Sequence, residues 1–406
     1  MAVNLSEPKG LLKVEGVELG VAEANIKYPD RNDLVILSFS EGSVTSAVFT
    51  QNVFCAAPVE VAKNHISQTS TRALVVNSGN ANAVTGRQGL QSANESCEYV
   101  AEQLDILPEQ VLPFSTGVIG EQLPMNKISK GIRLASKNLD AGNWLEAAKA
   151  IMTTDTVAKA VSKQVDLGRE TITISGMAKG SGMICPDMAT MLAYVVTDAK
   201  IDQIVLDQMI QLVVDDSFNR ITVDGDTSTN DAFVITATQK ADNNLITSID
   251  SKDAKIFLSA LTIVAQQLSQ AIIRDGEGAT KFIEINVDGG RSESDCEIVA
   301  YTIAHSPLVK TALFASDPNW GRLLMAIGRS PAQGLIAEKI SVKVNQLPIV
   351  TLGEIDQAYT EEKGQKVFNE SELVIDVQLG DSEHCKTIWT TDLSHDYVSI
   401  NADYRS

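Results

Sequence analysis

Residues 175–192 read Ser175-Gly176-Met177-Ala178-Lys179-Gly180-Ser181-Gly182-Met183-Ile184-Cys185-Pro186-Asp187-Met188-Ala189-Thr190-Met191-Leu192. Three glycines and a lysine fall within the seven residues Gly176 to Gly182. On one side lies Thr171-Ile172-Thr173-Ile174, on the other Leu192-Ala193-Tyr194-Val195-Val196. Both runs are rich in β-branched residues, so the spacing predicts strand, loop, strand. Glycine lets a loop backbone come close to a ligand or to another backbone. The loop is neither GxxxxGK[ST] nor a GxGxxG that opens a helix, so no phosphate cradle is implied. A structural loop and a functional one both fit its composition.

Working outward, further strands are expected at Leu34–Phe39, Ala73–Val76, Ala232–Ala237, Ile340–Val344 and Leu373–Val377. Apolar residues three or four apart predict helices over 88–104, 127–139, 201–217, 253–273 and 295–313. Asp202 is placed to start the third of these. Mixed strands and helices favour α/β or α+β, without the regular alternation of a TIM barrel or a Rossmann sheet. The chain has 406 residues, beyond the ~250–300 at which a single core stops growing, so two lobes are expected. A boundary near 180–200 fits the loop, although composition does not change there.

Composition narrows the function classes. A formal net charge of −19 repels phosphate backbones and anionic membranes, which argues against nucleic acid or a lipid surface as partner. Five cysteines (Cys55, Cys97, Cys185, Cys296, Cys385) form no CxxC pair, and the four histidines are scattered. Neither a disulfide framework nor a metal site is expected. The N-terminus lacks a basic-then-apolar leader, and no uninterrupted apolar run approaches the ~20 residues of a membrane helix. The expected location is the cytoplasm.

Thr190 begins the strand after the glycine-rich loop. A threonine there is an ordinary strand former, and it is also a nucleophile in waiting. Its hydroxyl can attack the carbonyl of Ala189; the peptide C–N bond breaks as an ester forms, which frees the α-amine of Thr190, and hydrolysis of that ester restores the hydroxyl and parts the chain. That amine, with a reference pKa of roughly 7.7–8, can serve as base for its own hydroxyl. Ser115-Thr116-Gly117-Val118-Ile119-Gly120 offers a turn after a strand, with a hydroxyl and a backbone N–H aimed together as in an oxyanion hole. A plain tight turn fits those residues too. Arg274-Asp275-Gly276-Glu277-Gly278-Ala279-Thr280-Lys281 reads either as a solvated turn after a helix or as a seat for a zwitterion. Asp224-Gly225-Asp226-Thr227-Ser228-Thr229-Asn230-Asp231 is acidic but lacks the spacing of a calcium loop. Thr153-Thr154-Asp155-Thr156 is a cap or a polar ligand cluster.

With Asn77-Ser78-Gly79-Asn80-Ala81-Asn82 and the terminal Asn401-Ala402-Asp403-Tyr404-Arg405-Ser406, these segments resemble the ornithine acetyltransferase family. Its members are the bifunctional glutamate N-acetyltransferase and amino-acid acetyltransferase of arginine biosynthesis. The matching pieces run in family order over nearly the whole chain, and jointly they are specific.

The resemblance implies a two-lobed α/β sandwich of the self-cleaving N-terminal-nucleophile type, related to DmpA-like aminopeptidases. It implies a cut between Ala189 and Thr190, giving an α-chain of residues 1–189 and a β-chain of 190–406 that remain together, commonly as an α2β2 heterotetramer. Thr190 is then the nucleophile, and Thr116 and Gly117 form the oxyanion hole. Thr153, Lys179, Thr190, Glu277, Asn401 and Ser406 contact the amino-acid substrate. The implied reaction passes acetyl from N2-acetylornithine to L-glutamate through an acetyl-Thr190 ester, with no bound cofactor. Many members also use acetyl-CoA as donor, and no motif decides that point. Cys185-Pro186-Asp187 departs from the residues the family often carries before the cut. Two rival functions fit parts of the pattern: a self-cleaving aminopeptidase or amidase that passes its acyl group to water, and a non-catalytic amino-acid-binding protein.

Overall fold

The structure, a computed structural model, describes residues 2–185 and 191–402. The chain divides into two compact units. The larger holds residues 6–219 and 226–272, and the smaller holds the N-terminal residues to Leu5, 220–225 and everything from Ile273. The expected boundary near 180–200 is therefore corrected. The strands on either side of it pair with each other inside the larger unit.

Two sheets build the larger unit. The first has the order β1 (Val17–Ala22), β2 (Leu34–Phe39), β4 (Ala73–Asn77), β5 (Val111–Ser115). The second has the order β3 (Val44–Phe49), β10 (Ala232–Ala237), β8 (Leu192–Thr197), β7 (Glu170–Lys179), β6 (Lys159–Leu167). Every residue of β8 and β10 is buried, as their continuous apolar runs require of central strands covered on both faces. The sheets pack face to face. Leu37, Val76, Leu112 and Phe114 from the first meet Met177, Tyr194, Val196 and Val234 from the second in one core. Phe114 and Tyr194 stack edge to face across it with ring centroids 5.3 Å apart, worth about 1 kcal/mol beyond area burial.

Helices cover the outer faces. Helices α1 (Ala57–Ile66), α2 (Gly86–Leu104) and α3 (Met125–Ala135) lie on the first sheet, where Val61, Cys97, Val100 and Ile132 join Ile36 and Val75. In α2 the buried positions Ala93, Cys97, Val100 and Ala101 recur at helical spacing and form its inner stripe. The short α4 (Trp144–Ala150) inserts its tryptophan into the inter-sheet core. Helices α5 (Gln203–Asp215) and α6 (Lys252–Arg274) serve the second sheet. A β-carbon on Gly176 of β7 would stand 3.1 Å from Leu268 of α6, so the missing side chain lets the helix settle. By length and composition α6 could cross a membrane, yet its Phe257, Leu261, Val264, Leu268 and Ile272 are fully buried, as in a core helix. Asp202 caps α5 by accepting from the Ile204 N–H, as expected.

The smaller unit is a seven-stranded sheet with the order β14 (Glu354–Ile355), β13 (Leu347–Thr351), β12 (Ser341–Val344), β15 (Glu372–Gln378), β11 (Phe282–Asp288), β16 (Cys385–Thr391), β9 (Ile221–Thr222). Helices α7 (Glu293–Ala304), α8 (Pro307–Phe314) and α9 (Trp320–Gly328) pack on it around Ile285, Val299, Ile303, Leu323 and Ile375. The single helix expected over 295–313 is thus two. Ser306 caps α8 through the Val309 N–H, and Pro307, which has no N–H, takes its first position. Helix α10 (Glu361–Phe368) and the terminal α11 (His395–Ala402) complete the unit.

Candidate active site

The parallel pairing of β4 with β5 sets Asn77 beside Ser115 at the ends of the strands. Two turns leave those ends and lock together. The Ser115 hydroxyl donates to Asn77 Oδ1 at 2.5 Å, and Asn77 Nδ2 donates to the Asn80 carbonyl at 2.9 Å. The Ala81 N–H donates to the Val118 carbonyl at 2.9 Å. Asn80 Nδ2 reaches the Glu121 and Gln122 carbonyls, each at 3.2 Å. The asparagine-rich loop singled out in the sequence is therefore the frame of the Thr116–Gly117 turn.

Within that turn the polar groups are unequally used. The Thr116 N–H donates to the Asn77 carbonyl at 3.0 Å. What Thr116 has left is its hydroxyl, which accepts from Lys179 Nζ at 3.3 Å and so keeps its own proton to donate. Gly117 sits at φ +128°, a backbone state that favours glycine. Among the described residues its N–H has no hydrogen-bond partner. A hydroxyl donor and a backbone donor on successive residues are the parts an oxyanion hole needs.

Lys179 ends β7 in register with Leu192 of β8, which pairs in turn with Ala232 of β10. Two buried carboxyls share its surroundings. Asp155 takes Lys159 Nζ and the Gly180 N–H on one oxygen, each at 2.7 Å, and the Thr153 N–H on the other at 3.0 Å. Both side chains of the Asp155–Lys159 pair are fully buried. Burial alone would push the Asp155 carboxyl up, but the Lys159 and Lys179 charges and the Gly180 N–H hold it well below the usual carboxylate range. The pair fixes half-buried Thr153 and the end of β7 together. Asp231 is different. Burial pushes its carboxyl well above the ordinary range, against the hydrogen bonds from Ser228 and the Lys179 charge. Its Oδ2 has no hydrogen-bond partner among the described residues.

In the smaller unit Asn401 Nδ2 donates to Glu277 Oε2 at 2.8 Å and to the Tyr397 carbonyl at 3.0 Å. The segment Arg274–Lys281 is no solvated turn. Asp275, Glu277 and Lys281 are buried. Arg274 forks onto the Glu372 carboxylate at 2.8 and 3.1 Å, and Lys281 Nζ donates to the Phe368 and Glu370 carbonyls at 2.8 Å. With its two ends pinned, the segment holds Glu277 in place. Helix α11 is tied down by the Tyr397 hydroxyl, which donates to Asp224 Oδ2 at 3.1 Å.

The structure thus brings Thr116, Gly117, Lys179 and Thr153 into one unit, and Glu277 and Asn401 into contact in the other. The expectations for Ala189, Thr190 and Ser406 lie outside the described residues. Sequence reading places Asp155 in a cap or polar cluster but misses its pairing with Lys159, whose i, i+4 spacing is the available signal, and it gives Asn230 and Asp231 no role. The latter pair stands in the acidic stretch 224–231, which lacks the spacing of a calcium loop and offers no other local signal. Among the described residues no group of three or more His, Cys, Asp or Glu could hold a metal ion.

A hydroxyl and a backbone N–H with no partner among the described residues, framed at the end of a sheet beside a lysine, are donors of the kind that acyl transfer uses. The chain belongs to the ArgJ family, whose model matches residues 18–406, and the resemblance drawn from the motifs stands. It is 48% identical to the arginine biosynthesis bifunctional protein ArgJ of Pseudomonas syringae pv. tomato over 406 residues, the full length of both chains. Among solved structures, a bifunctional ArgJ from Bacillus halodurans is 37% identical over 52% of this chain and 97% of its own, with a TM-score of 0.49. An ornithine acetyltransferase from Mycobacterium tuberculosis, solved with ornithine, is 33% identical over 43% of this chain and 94% of its own, with a TM-score of 0.38.

Proposed function

We infer that this chain, an acetyltransferase of arginine biosynthesis, moves acetyl from N2-acetylornithine to L-glutamate by way of an ester on Thr190. The observation that carries the reading is the Thr116–Gly117 turn, with one hydroxyl and one N–H that has no partner among the described residues, held on a rigid frame. In the proposed first step the chain cuts itself between Ala189 and Thr190, which frees the Thr190 amine. The Thr190 hydroxyl then attacks the acetyl carbonyl while its amine takes the proton. Thr116 Oγ1 and the Gly117 N–H steady the oxyanion. The carbon–nitrogen bond breaks, the amine returns the proton to the departing nitrogen, and ornithine leaves. The amine of glutamate next attacks the ester, and the Thr190 oxygen recovers a proton as N-acetylglutamate departs.

Lys179 favours a substrate carboxylate, and Glu277 with Asn401 receives an amino group, while Thr153 and Ser406 complete the contacts. No cofactor stays bound, and acetyl-CoA serves as a second donor, in keeping with the bifunctional name of the relative. The two pieces assemble as an α2β2 heterotetramer in the cytoplasm.

Intact-mass measurement tests the core of this reading. The wild type is expected as two pieces, with an added 42 Da acetyl mark (a value of roughly one acetyl for hydrogen) on the piece beginning at Thr190 after exposure to N2-acetylornithine. Thr190→Ala is expected to stay full-length and inactive. An active wild type found uncut would sink the mechanism. Acetate released in place of acetylglutamate would favour an amidase.

A further inference from the structure

Asn230 stands just before β10, in the second sheet of the larger unit, yet its side chain works on the first. The residue is only 6% exposed. Its Nδ2 donates to the Ala81 carbonyl at 2.5 Å and to the Ser115 carbonyl at 2.9 Å. Its Oδ1 accepts from the Thr229 hydroxyl at 2.6 Å. Both ends of its carboxamide are engaged, and both carbonyls it holds belong to the turns that frame Thr116 and Gly117.

Its own support is stiff. The Thr50 hydroxyl donates to the Ser228 carbonyl at 2.8 Å, and the Ala56 N–H to the Thr229 carbonyl at 2.9 Å. The Thr50 N–H donates to the Asp231 carbonyl at 3.0 Å, and Asn52 Nδ2 to the Thr227 carbonyl at 2.9 Å. A carboxamide mounted on so many fixed carbonyls can impose a direction on what it touches.

What it directs is one peptide plane. The Ser115 carbonyl and the Thr116 N–H share that plane. Asn230 holds the carbonyl and the Asn77 carbonyl holds the N–H. A peptide bonded at both ends cannot rotate, whereas the next residue is a glycine at positive φ, free to let the turn flip. Oxyanion donors help only when already aimed, because reorientation during reaction consumes their advantage.

We propose that Asn230 is a positioning residue that aims the Thr116 hydroxyl and the Gly117 N–H at the reacting carbonyl by pinning the Ser115–Thr116 peptide. This rests on the oxyanion role given above to Thr116 and Gly117.

The test is a double-mutant cycle on the full chain, with acetyl transfer from N2-acetylornithine to glutamate measured as kcat and KM per cut chain. Thr116→Ala alone is expected to lower kcat roughly 100-fold or more. Asn230→Ala alone is expected to lower kcat roughly 10- to 100-fold, with both KM values within about threefold of wild type. Added to Thr116→Ala, it is expected to cost clearly less than it does alone, because one of the two donors it aims is already gone. An undiminished second loss in that background, or a KM rise without a kcat loss, would overturn the proposal. Full activity in Thr116→Ala would instead overturn the oxyanion reading, and the proposal with it. Should Asn230→Ala fold poorly, Asn230→Ser keeps one donor too short to reach both carbonyls, and the same cycle applies.

Discussion

A β-carbon placed on Gly117 would lie 2.3 Å from the carbonyl carbon of Gly79 and 2.6 Å from the Asn80 nitrogen. The two turns thus touch backbone to backbone, at a residue held at φ +128°. Gly117→Ala therefore meets both a collision and a backbone penalty of roughly 1–3 kcal/mol. The expected result is a loss of acetyl transfer of about 100-fold or more, because the Gly117 N–H shifts, with a lowered urea midpoint. Unchanged kinetics would show that this donor plays no part.

The buried Asp155–Lys159 pair is expected to tolerate loss of one partner badly. Asp155→Asn leaves the Lys159 charge uncompensated inside the protein, which costs on the order of 3–5 kcal/mol. The pH dependence follows from the same pair. The folded carboxyl titrates below its unfolded value, so its contribution is whole above about pH 4 and fades as pH falls further. Urea unfolding at pH 7 and at pH 3 should show a smaller acid loss in Asp155→Asn than in wild type.

Lys310, in the smaller unit, gives the same sign of pH dependence at the alkaline end, and there burial is the cause. Its Nζ donates to Thr390 Oγ1 at 3.0 Å and to the Thr391 carbonyl, and burial pushes its pKa down to about 8 despite Asp392 and Asp224. Between about pH 8 and 10 the folded protein holds fewer protons here than the unfolded chain, so stability rises with pH. The gain should be on the order of 1–3 kcal/mol. Comparing urea midpoints at pH 8 and 10 for wild type and Lys310→Met isolates it, and the variant should lack this rise.

Gly278 bears on Glu277 and Asn401, the residues proposed to receive an amino group. A β-carbon there would stand 2.5 Å from Ser394 Oγ and 2.6 Å from the Tyr397 nitrogen, at φ +68°. Gly278→Ala should push away the first turn of α11 and loosen the Asn401–Glu277 contact. The expected signature is a KM for the amino-acid substrate raised roughly tenfold, with kcat affected less.

Tyr194 offers a stabilising change. Its hydroxyl is buried with no partner among the described residues. Tyr194→Phe keeps the edge-to-face contact with Phe114 and removes an unsatisfied group worth roughly 1–3 kcal/mol. The melting temperature should rise by a few degrees, with acetyl transfer unchanged.

Central strands were the most legible part of the sequence. β2 and β10 occupy the expected Leu34–Phe39 and Ala232–Ala237, because a strand buried on both faces leaves an unbroken apolar run. Helix α6 was legible through its long period. The break between α7 and α8 was not, since the apolar spacing continues across His305 and only Ser306 and Pro307 mark it. The unit boundaries were hidden as well. β9 contributes only two residues to the smaller unit's sheet, too few to carry a pattern. At the site, the Thr116–Gly117 turn announced itself by residue type. Asn230 did not, because the carbonyls it holds lie 149 and 115 positions away, and a local window sees only an acidic stretch.

The strand order β3-β10-β8-β7-β6 has a consequence for any break in the chain between Cys185 and Met191. Both central strands would then belong to the second polypeptide, with partners from the first on either flank. Neither polypeptide could depart without stripping hydrogen bonds from two ladders at once. Such a nick would leave these ladders intact while the protein stays folded. Once unfolded, the two halves would have to find each other by diffusion, so recovery would become dilution-sensitive and the scissile event would act as a one-way ratchet on folding.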